Sequence, residues 1–125
     1  MIAAFLRNAI HDEPISVWGD GSVVRDYIFI DDVVSAIELA VLNGGDKKIF
    51  NIGSGRGLSV NEIILTLESV VGKKIEVNYM PGRNMDVPIS VLDIAQAAEV
   101  LRWTPKVEFS QGIQDTFEWV KSSGL

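Results

Sequence analysis

The chain has 125 residues, a length that suits one small domain or part of a larger protein. Hydrophobic residues make up 47% and charged residues 22%, which is typical of a globular fold and excludes a disordered chain. The net charge of −6 argues against a general nucleic-acid-binding surface, because phosphate binding needs clustered lysine and arginine. The absence of cysteine excludes disulfides, and the single histidine, His11, argues against a histidine-based metal site.

Apolar residues at helical spacing predict a first helix over about 2–11, which Pro14 ends. This segment has no basic leader and is interrupted by Arg7, so we do not predict a signal peptide. No apolar run reaches the ~20 residues that a membrane span needs. We therefore expect a cytoplasmic protein with no membrane partner.

Two strand-like runs, at 15–18 and 23–30, flank a Gly-Asp-Gly turn and predict a hairpin or two strands joined by a tight reversal. The next helix, at 33–42, is predicted to be capped by Asp31 or Asp32 and to end at Gly44-Gly45. Its residues are apolar almost all round, a pattern typical of a helix that is covered on more than one side.

The apolar run at 49–52 predicts a strand with both faces buried, as in a parallel sheet. Together with the helix at 33–42, this strand indicates that a packing neighbour is missing from the chain. The alternative is a compact α+β domain that packs both elements inside itself.

Ser59 and Glu62 predict a capping box at the start of a helix that ends at Gly72. The remaining predicted elements are a strand at 75–80, a loop at 81–86, a helix from Asp93 to near Trp103 and a last amphipathic helix marked by Ile113, Phe117 and Val120.

A glycine loop with Gly53, Gly55 and Gly57 lies between a predicted strand and a predicted helix, where a dinucleotide-binding turn is one interpretation. The third glycine comes one residue early for G-x-G-x-x-G, and the strand at 75–80 does not end in an acid placed for a ribose hydroxyl. The spacing therefore favours a structural turn.

Arg25 and Arg83 are the strongest binding candidates, because each lies near glycines and a guanidinium can hold a phosphate through two hydrogen bonds. The alternative for these arginines is surface pairing with Asp26 or Asp86.

The sequence shows no convincing catalyst. His11 is predicted to support the end of the first helix. Tyr27 and Tyr79 are not followed four residues later by lysine, so neither forms a Tyr-x-x-x-Lys pair for proton transfer.

Four motifs in order carry a resemblance: GDGSVVRDYIFIDDV at 19–33, FNIGSGRGLSVNE at 50–62, PGRNMDVP at 81–88 and DIAQAAEVLRWTP at 93–105. They resemble the carboxyl-terminal part of NAD-dependent nucleotide-sugar epimerases and dehydratases, which are extended short-chain dehydrogenases, and are most similar to the UDP-glucose 4-epimerases. The resemblance covers practically the whole chain.

The resemblance implies an α/β fold in which residues 1–125 form a single fragment: the substrate-binding portion plus the last helix and strand of a Rossmann sheet. Residues 31–53 would belong to the edge of the missing Rossmann domain. In the family the NAD loop and the catalytic Tyr-x-x-x-Lys lie in the amino-terminal half. NAD is therefore expected to bind to the missing part, and no catalytic residue, cofactor-binding residue or metal ligand is expected in this chain.

The resemblance also implies roles for individual residues. Arg25 and Arg83 correspond to arginines that contact the nucleotide diphosphate, and Asp86 to an aspartate that takes a ribose hydroxyl. The segment that lines the uracil corresponds to Ser16, Val17 and Trp18.

At two positions the sequence departs from the family pattern, and these departures leave the identity of the sugar undetermined. Met85 replaces the glycine that is usual before the aspartate, and Ser90 stands where some 4-epimerases have a tyrosine near the sugar nucleotide.

The expected function is thus the nucleotide-sugar-binding part of a UDP-glucose 4-epimerase, which interconverts UDP-glucose and UDP-galactose by transient hydride transfer. The isolated chain is expected to be inactive, with weak or no UDP binding, and the intact enzyme is expected to bind a UDP-sugar and to form a homodimer. The alternatives are a fragment of a nucleotide-sugar 4,6-dehydratase or UDP-glucuronate decarboxylase, a free-standing nucleotide-binding module, and a non-catalytic self-associating protein.

Overall fold

The computed structural model describes residues 1–43, 45–46, 49–83 and 85–124. The chain has the α/β fold that the sequence predicts, with ten elements in the order α1 (Ile2–Ile10), β1 (Ile15–Trp18), β2 (Val24–Asp26), α2 (Ile30–Asn43), β3 (Gly57–Ser59), α3 (Val60–Val71), β4 (Val77–Met80), β5 (Ile89–Ser90), α4 (Ala95–Leu101) and α5 (Phe109–Ser123). These elements form two compact units that are interleaved along the sequence. The first unit contains Met1–Val23, Ser59–Pro88 and Ser110–Leu125, and the second contains Val24–Leu58 and Ile89–Phe109.

The first unit is built on a parallel pair of strands, β1 and β4, whose register places Ile15 opposite Val77 and Trp18 opposite Met80. Helix α1 packs against β1 and α3. The side chains that fill this core are fully buried: Leu6, Ile15, Ile63 and Leu67. His11 is the carboxyl-terminal cap residue of α1, as predicted.

The predicted capping box at the start of α3 is confirmed. The Ser59 hydroxyl accepts a hydrogen bond from the Glu62 amide at 3.2 Å, and the Glu62 carboxylate accepts one from the Ser59 amide at 2.8 Å. The helix ends at Gly72, whose φ of 77° lies in the left-handed region that glycine adopts most readily. Both ends of α3 therefore follow from local sequence.

The second unit contains a three-stranded sheet in the order β3-β2-β5, with β2 and β5 parallel. Helices α2 and α4 pack together around a core of Ala36, Ala97, Leu101 and Trp103. The indole Nε1 of Trp103 donates to the Asp32 carbonyl at 3.1 Å and to the Ser35 hydroxyl at 3.0 Å. The buried ring is therefore both packed and hydrogen-bonded.

The predicted hairpin is wrong. Strand β1 pairs with β4 in one sheet, whereas β2 lies between β3 and β5 in another. Gly19 and Gly21 have φ of 82° and 77°, and the turn that contains them carries the chain from the first unit into the second. Each short run finds a parallel partner from later in the sequence, so local turn residues did not identify the pairing.

The predicted caps of the helix that starts near residue 33 are also wrong, because α2 begins at Ile30 and contains both Asp31 and Asp32. The Asp32 side chain is buried, and its two oxygens accept hydrogen bonds from the amides of Lys106 and Val107, each at 2.9 Å. This carboxylate holds the segment that follows α4. The helix ends at Asn43, next to the predicted stop; Gly44 lies outside the described residues.

The predicted strand at 49–52 is not formed among the described residues, since these residues join no ladder. Phe50 and Ile52 pack partly against the core of the second unit, whereas Ile49 is 80% exposed. A strand needs a neighbour to satisfy its backbone groups, and the described part of the second unit supplies none at this position.

Helix α2 presents an uncovered apolar stripe at positions i, i+4, i+7 and i+11. The stripe consists of Ile30, Val34, Ile37 and Val41, whose exposures are 61%, 48%, 57% and 81%. The apolar residues that the sequence places around this helix therefore include a stripe that the described residues do not cover. None of the described helices is long and apolar enough to cross a membrane.

The later predicted elements are confirmed with shifted boundaries. Asp93 precedes α4 and accepts a hydrogen bond from the Ala95 amide at 2.9 Å, and the helix ends at Leu101, before Trp103. The last helix is longer than its apolar markers indicate, from Phe109 to Ser123. Strands β3 and β5 were not predicted, because each has only two or three residues.

Candidate functional site

The seven predicted site residues fall into two groups, one in each unit. The first unit carries Ser16, Val17, Trp18, Arg83 and Asp86, and the second carries Arg25 and Ser90.

Strand β1 alternates between buried and exposed residues, which decides what its three predicted site residues can do. The Val17 side chain is a core residue with 3% exposure, so only its backbone could meet a ligand. Ser16 and Trp18 face outward, and the Trp18 ring is 46% exposed. Trp18 is therefore the large side chain of β1 that a ligand can reach.

The Arg83 guanidinium lies over the face of Trp18, with its Cζ 4.3 Å from the ring centroid. This distance is within the range of a cation–π interaction. Arg83 is on the loop after β4, and Trp18 is the last residue of β1, so the contact joins the ends of two paired strands.

Backbone packing brings this loop back towards β1. The Gly19 amide donates to the Met80 carbonyl at 2.9 Å, which continues the β1–β4 pairing by one residue. A Cβ built on Gly82 would lie 3.6 Å from the Cα of Gly19, which is an ordinary van der Waals distance. The loop therefore passes the end of β1 in contact with it, without a steric need for glycine at position 82.

Asp86 follows Arg83 in a tight turn, in which the Asp86 amide donates to the Arg83 carbonyl at 3.2 Å. Lys73 pairs with Asp12 and Lys74 with Glu68, whereas neither Arg83 nor Asp86 forms an ion pair with a described residue. The alternative of an Arg83–Asp86 ion pair is thus not the arrangement in this structure. Both side chains are exposed.

A wide, shallow depression of about 660 Å³ lies beside this pair of strands, lined by Gly19, Asp20, Tyr79, Met80 and Gly82. The Tyr79 hydroxyl donates to Asn61 Oδ1 at 2.9 Å, and Asn61 Nδ2 donates to the Asp20 carbonyl at 3.0 Å. A Cβ on Gly21 would lie only 2.1 Å from Asn61 Oδ1, so glycine is required there. These contacts fix the Gly-Asp-Gly turn against α3 and β4.

Sequence reasoning missed the roles of Asn61 and Tyr79. Asn61 follows the capping serine by two residues, inside a motif that was used only to locate a helix. Within the turn itself, hydrogen bonds from the Ser22 hydroxyl and amide lower the pKa of Asp20 below its ordinary value.

In the second unit, Arg25 lies on the central strand β2 and is the register partner of Ser90 on β5. The Arg25 side chain is half-buried, and its Nη1 donates to the Val24 carbonyl at 2.8 Å. Ser90 is exposed. The sheet therefore brings these two predicted residues side by side.

Tyr27 lies just beyond β2, with its ring 6.0 Å from that of Phe109. Burial raises the pKa of the Tyr27 hydroxyl above its ordinary value, and the positive charge of Arg25 opposes this shift. A raised pKa suits a hydroxyl that stays protonated and not one that works as a base.

The glycine loop is a structural turn organised by Asp26. Asp26 Oδ1 accepts from the Ser54 amide at 2.7 Å and from its hydroxyl at 2.5 Å, while Oδ2 accepts from the amides of Gly55 at 3.0 Å and Leu92 at 3.2 Å. A Cβ on Gly53 would lie 2.7 Å from Asp26 Oδ2, which explains why glycine is needed there.

The same contacts test whether this loop fits NAD. The loop amides of a dinucleotide-binding turn must donate to the pyrophosphate. Those of Ser54 and Gly55 already donate to the carboxylate of Asp26, whose negative charge would also repel an anion. The loop does not fit the cofactor. The described residues also contain no cluster of three or more side chains suited to hold a metal ion.

Comparison with known proteins shows what the chain is similar to. The model of the NAD dependent epimerase/dehydratase family matches residues 1–53. A curated UDP-glucose 4-epimerase from Mycolicibacterium smegmatis is 35% identical over 122 residues, which are 98% of this chain and 39% of that protein.

Two solved structures extend the match to the fold. The UDP-glucose 4-epimerase of Thermotoga maritima, solved with UDP-glucose, is 40% identical with a TM-score of 0.92, covering 99% of this chain and 40% of that one. A mutant UDP-glucuronic acid 4-epimerase of Bacillus cereus, solved with UDP-4-deoxy-4-fluoro-glucuronic acid and NAD, is 25% identical with a TM-score of 0.91. The match covers 98% of this chain and 40% of that one.

The chain thus spans about 40% of the length of the relatives that it matches. The matched part is the carboxyl-terminal portion of the solved structures, as the four motifs predict. Residues 1–53 therefore match the NAD dependent epimerase/dehydratase family, and practically the whole chain is similar to the carboxyl-terminal portion of epimerases.

Proposed function

We propose that this chain is the nucleotide-sugar-binding portion of an NAD-dependent UDP-glucose 4-epimerase. The observation that carries the proposal is the match of 99% of the chain, at a TM-score of 0.92, to an epimerase solved with UDP-glucose. The contact between Arg83 and Trp18 supports it, because it presents a guanidinium beside an open depression.

Arg83 is proposed to bind the diphosphate of the UDP-sugar, with Asp86 on the ribose and the segment 16–18 along the uracil. Arg25 is assigned to the diphosphate, and Ser90 to the sugar, by the family resemblance. The charge of a diphosphate does not change during epimerisation at the sugar, so these arginines would supply uniform binding and positioning.

Redox chemistry would come from NAD, which supplies reversible hydride transfer when it is bound. Since the glycine loop is occupied by Asp26 and no Tyr-x-x-x-Lys pair is present, we assign the NAD site and the proton-transferring residues to protein outside these 125 residues. The uncovered stripe of α2 and the unpaired run at 49–52 are consistent with a packing neighbour that belongs to the same enzyme.

The first experiment is a titration of the isotope-labelled 125-residue chain with UDP, followed by amide and side-chain NMR shifts. We expect weak, saturable binding that moves signals of Trp18, Arg83 and Asp86, because only part of a binding cleft is present. Uridine is the matched control, since it lacks the diphosphate. An absence of shifts when the chain is joined to its NAD-binding portion would contradict the proposal, and a micromolar affinity of the isolated chain would favour a free-standing nucleotide-binding module.

The second experiment incubates the chain with UDP-glucose and NAD. We expect no formation of UDP-galactose, and turnover by the isolated chain would overturn the assignment of the catalytic groups. Assays of the chain joined to its NAD-binding portion with UDP-glucose, UDP-glucuronate and dTDP-glucose then separate the 4-epimerase from a decarboxylase or a 4,6-dehydratase. Exclusive turnover of the second or third substrate would replace the UDP-glucose assignment.

A further inference from the structure

Resting on the proposed function, we infer that Trp18 is a positioning residue that holds the Arg83 guanidinium ready for a diphosphate while leaving its hydrogen-bond donors open. The Cζ of Arg83 is 4.3 Å from the ring centroid of Trp18, within the range of a cation–π interaction.

The choice of an aromatic partner has a chemical consequence. A guanidinium is planar, and its five N–H groups point outward in that plane. An aromatic ring contacts its flat face, whereas a carboxylate would occupy the N–H edge that a phosphate also needs. The ion pairs among the described residues leave Arg83 out, so its edge is not taken by a carboxylate.

The surroundings limit where this arginine can go. Trp18 is anchored by β1, whose register partner at this position is Met80. The loop that carries Arg83 passes Gly19 at close range through Gly82, and its turn is closed by the hydrogen bond from the Asp86 amide to the Arg83 carbonyl. Because these contacts restrain the backbone of Arg83, its side chain loses less conformational entropy on binding an anion than it would on an unrestrained loop.

The net charge of −6 makes a neutral aromatic partner for Arg83 useful. In an acidic chain, an exposed arginine that is not held by a neutral partner can turn to any nearby carboxylate. A tryptophan ring holds the cation without cancelling its charge.

The first test examines the contact without ligand. Labelling with 5-fluorotryptophan gives one fluorine signal for each of the three tryptophans: Trp18, Trp103 and Trp119. We expect Arg83→Met to shift the Trp18 signal and to leave the other two in place. An unchanged Trp18 signal would show that the contact is absent and would overturn the inference, whatever the chain binds.

The second test measures UDP affinity by the same NMR titration. We expect Trp18→Leu to weaken UDP binding about two- to fivefold, the factor that an exposed cation–π contact supplies, and Trp18→Phe to weaken it less. Trp119→Leu is the matched control, because Trp119 is 56% exposed on α5 and distant in sequence from the loop. We expect this control variant to bind UDP as the parent does.

The third test separates positioning from direct stacking on the base. If Trp18 acts through Arg83, the double variant Trp18→Leu/Arg83→Met binds UDP no more weakly than Arg83→Met alone, and Trp18→Leu weakens UDP binding more than uridine binding. Equal losses for UDP and uridine would overturn the inference in favour of base stacking. Failure of the chain joined to its NAD-binding portion to bind UDP would instead reject the proposed function, and Trp18 would have no positioning role.

Discussion

The carboxylate of Asp26 accepts two hydrogen bonds from Ser54, one from its backbone amide at 2.7 Å and one from its hydroxyl at 2.5 Å. With the amides of Gly55 and Leu92 on its second oxygen, this side chain joins three chain segments at the end of β2. The glycine loop, which resembles a phosphate-binding turn in sequence, is thus held by the carboxylate of Asp26.

Replacing Asp26 with alanine should destabilise the chain by about 2–3 kcal/mol, because hydrogen bonds to a charged acceptor are lost and loop amides are left without partners. The measurement is the free energy of unfolding in urea. Asp46→Ala is the matched control, since that side chain is exposed, and it should change stability by less than about 0.5 kcal/mol. Equal effects of the two substitutions would show that the loop does not depend on Asp26.

Gly57→Ala should cost about 1–3 kcal/mol of stability by overpacking, since the new Cβ would lie 2.5 Å from Val24 Cγ1 and 2.8 Å from Val91 Cγ2. Shortening Val24 to alanine should recover part of this loss, so the double variant is more stable than the sum of the single changes predicts. In contrast, the new Cβ of Gly82→Ala would lie at an ordinary contact distance of 3.6 Å from the Cα of Gly19, so this substitution should change the stability very little. Purely additive effects at Gly57 and Val24 would count against the close contact.

Stability should fall in acid partly because of Glu68. A hydrogen bond from Lys74 Nζ at 2.7 Å, followed by one from the Ile75 amide at 3.1 Å, lowers the pKa of Glu68 below its ordinary value of 4.5. A carboxyl group whose pKa is lower in the folded state adds stability above its unfolded pKa and loses it as the pH falls through the folded pKa.

Glu68→Gln should therefore be less stable than the parent at pH 7, and the difference should shrink steadily below pH 4.5. Urea unfolding of both proteins across this range measures the effect. Glu99→Gln, at an exposed position on α4, is the control for the substitution itself and should change stability by less than about 0.5 kcal/mol. A gap between parent and Glu68→Gln that is constant with pH would show that charge is not the cause.

In the chain joined to its NAD-binding portion, Arg83→Ala should weaken UDP-sugar binding by about 1.5–3 kcal/mol, the range for hydrogen bonds to charged groups. Calorimetry or NMR titration gives the dissociation constant. Arg56→Ala is a useful control, because Arg56 is an exposed arginine outside the proposed site. An unchanged dissociation constant for Arg83→Ala would remove this residue from the site.

The stripe on α2 should drive concentration-dependent association of the isolated chain, because uncovered apolar patches favour contact. Changing Ile37 and Val41 to serine should reduce this association, as measured by sedimentation. The same changes should alter the stability of the monomer by less than about 0.5 kcal/mol each, since the side chains are 57% and 81% exposed. A strictly monomeric parent chain would contradict this expectation.

The sequence alone predicted those features whose causes lie within a few residues. The Ser59–Glu62 capping box and the stop at Gly72 depend on contacts inside one turn of helix, so the ends of α3 could be placed in advance. The sequence also shows that α2 carries apolar residues almost all round, since this pattern can be recognised without knowing what packs against the helix. Four ordered motifs sufficed for the family resemblance, and they named Arg83 as a binding candidate.

Only the tertiary structure decided the partners that lie far away in sequence. The sequence predicts Asp32 as a cap of its own helix, yet its oxygens accept hydrogen bonds from amides 74 and 75 residues later. Asp26 organises a loop 28 residues away, and β1 pairs with β4 and not with β2. A buried carboxylate accepts hydrogen bonds from the donors that lie near it in the folded chain, and a short strand pairs with a strand that lies beside it. Neither partner can be predicted from the neighbouring residues in sequence.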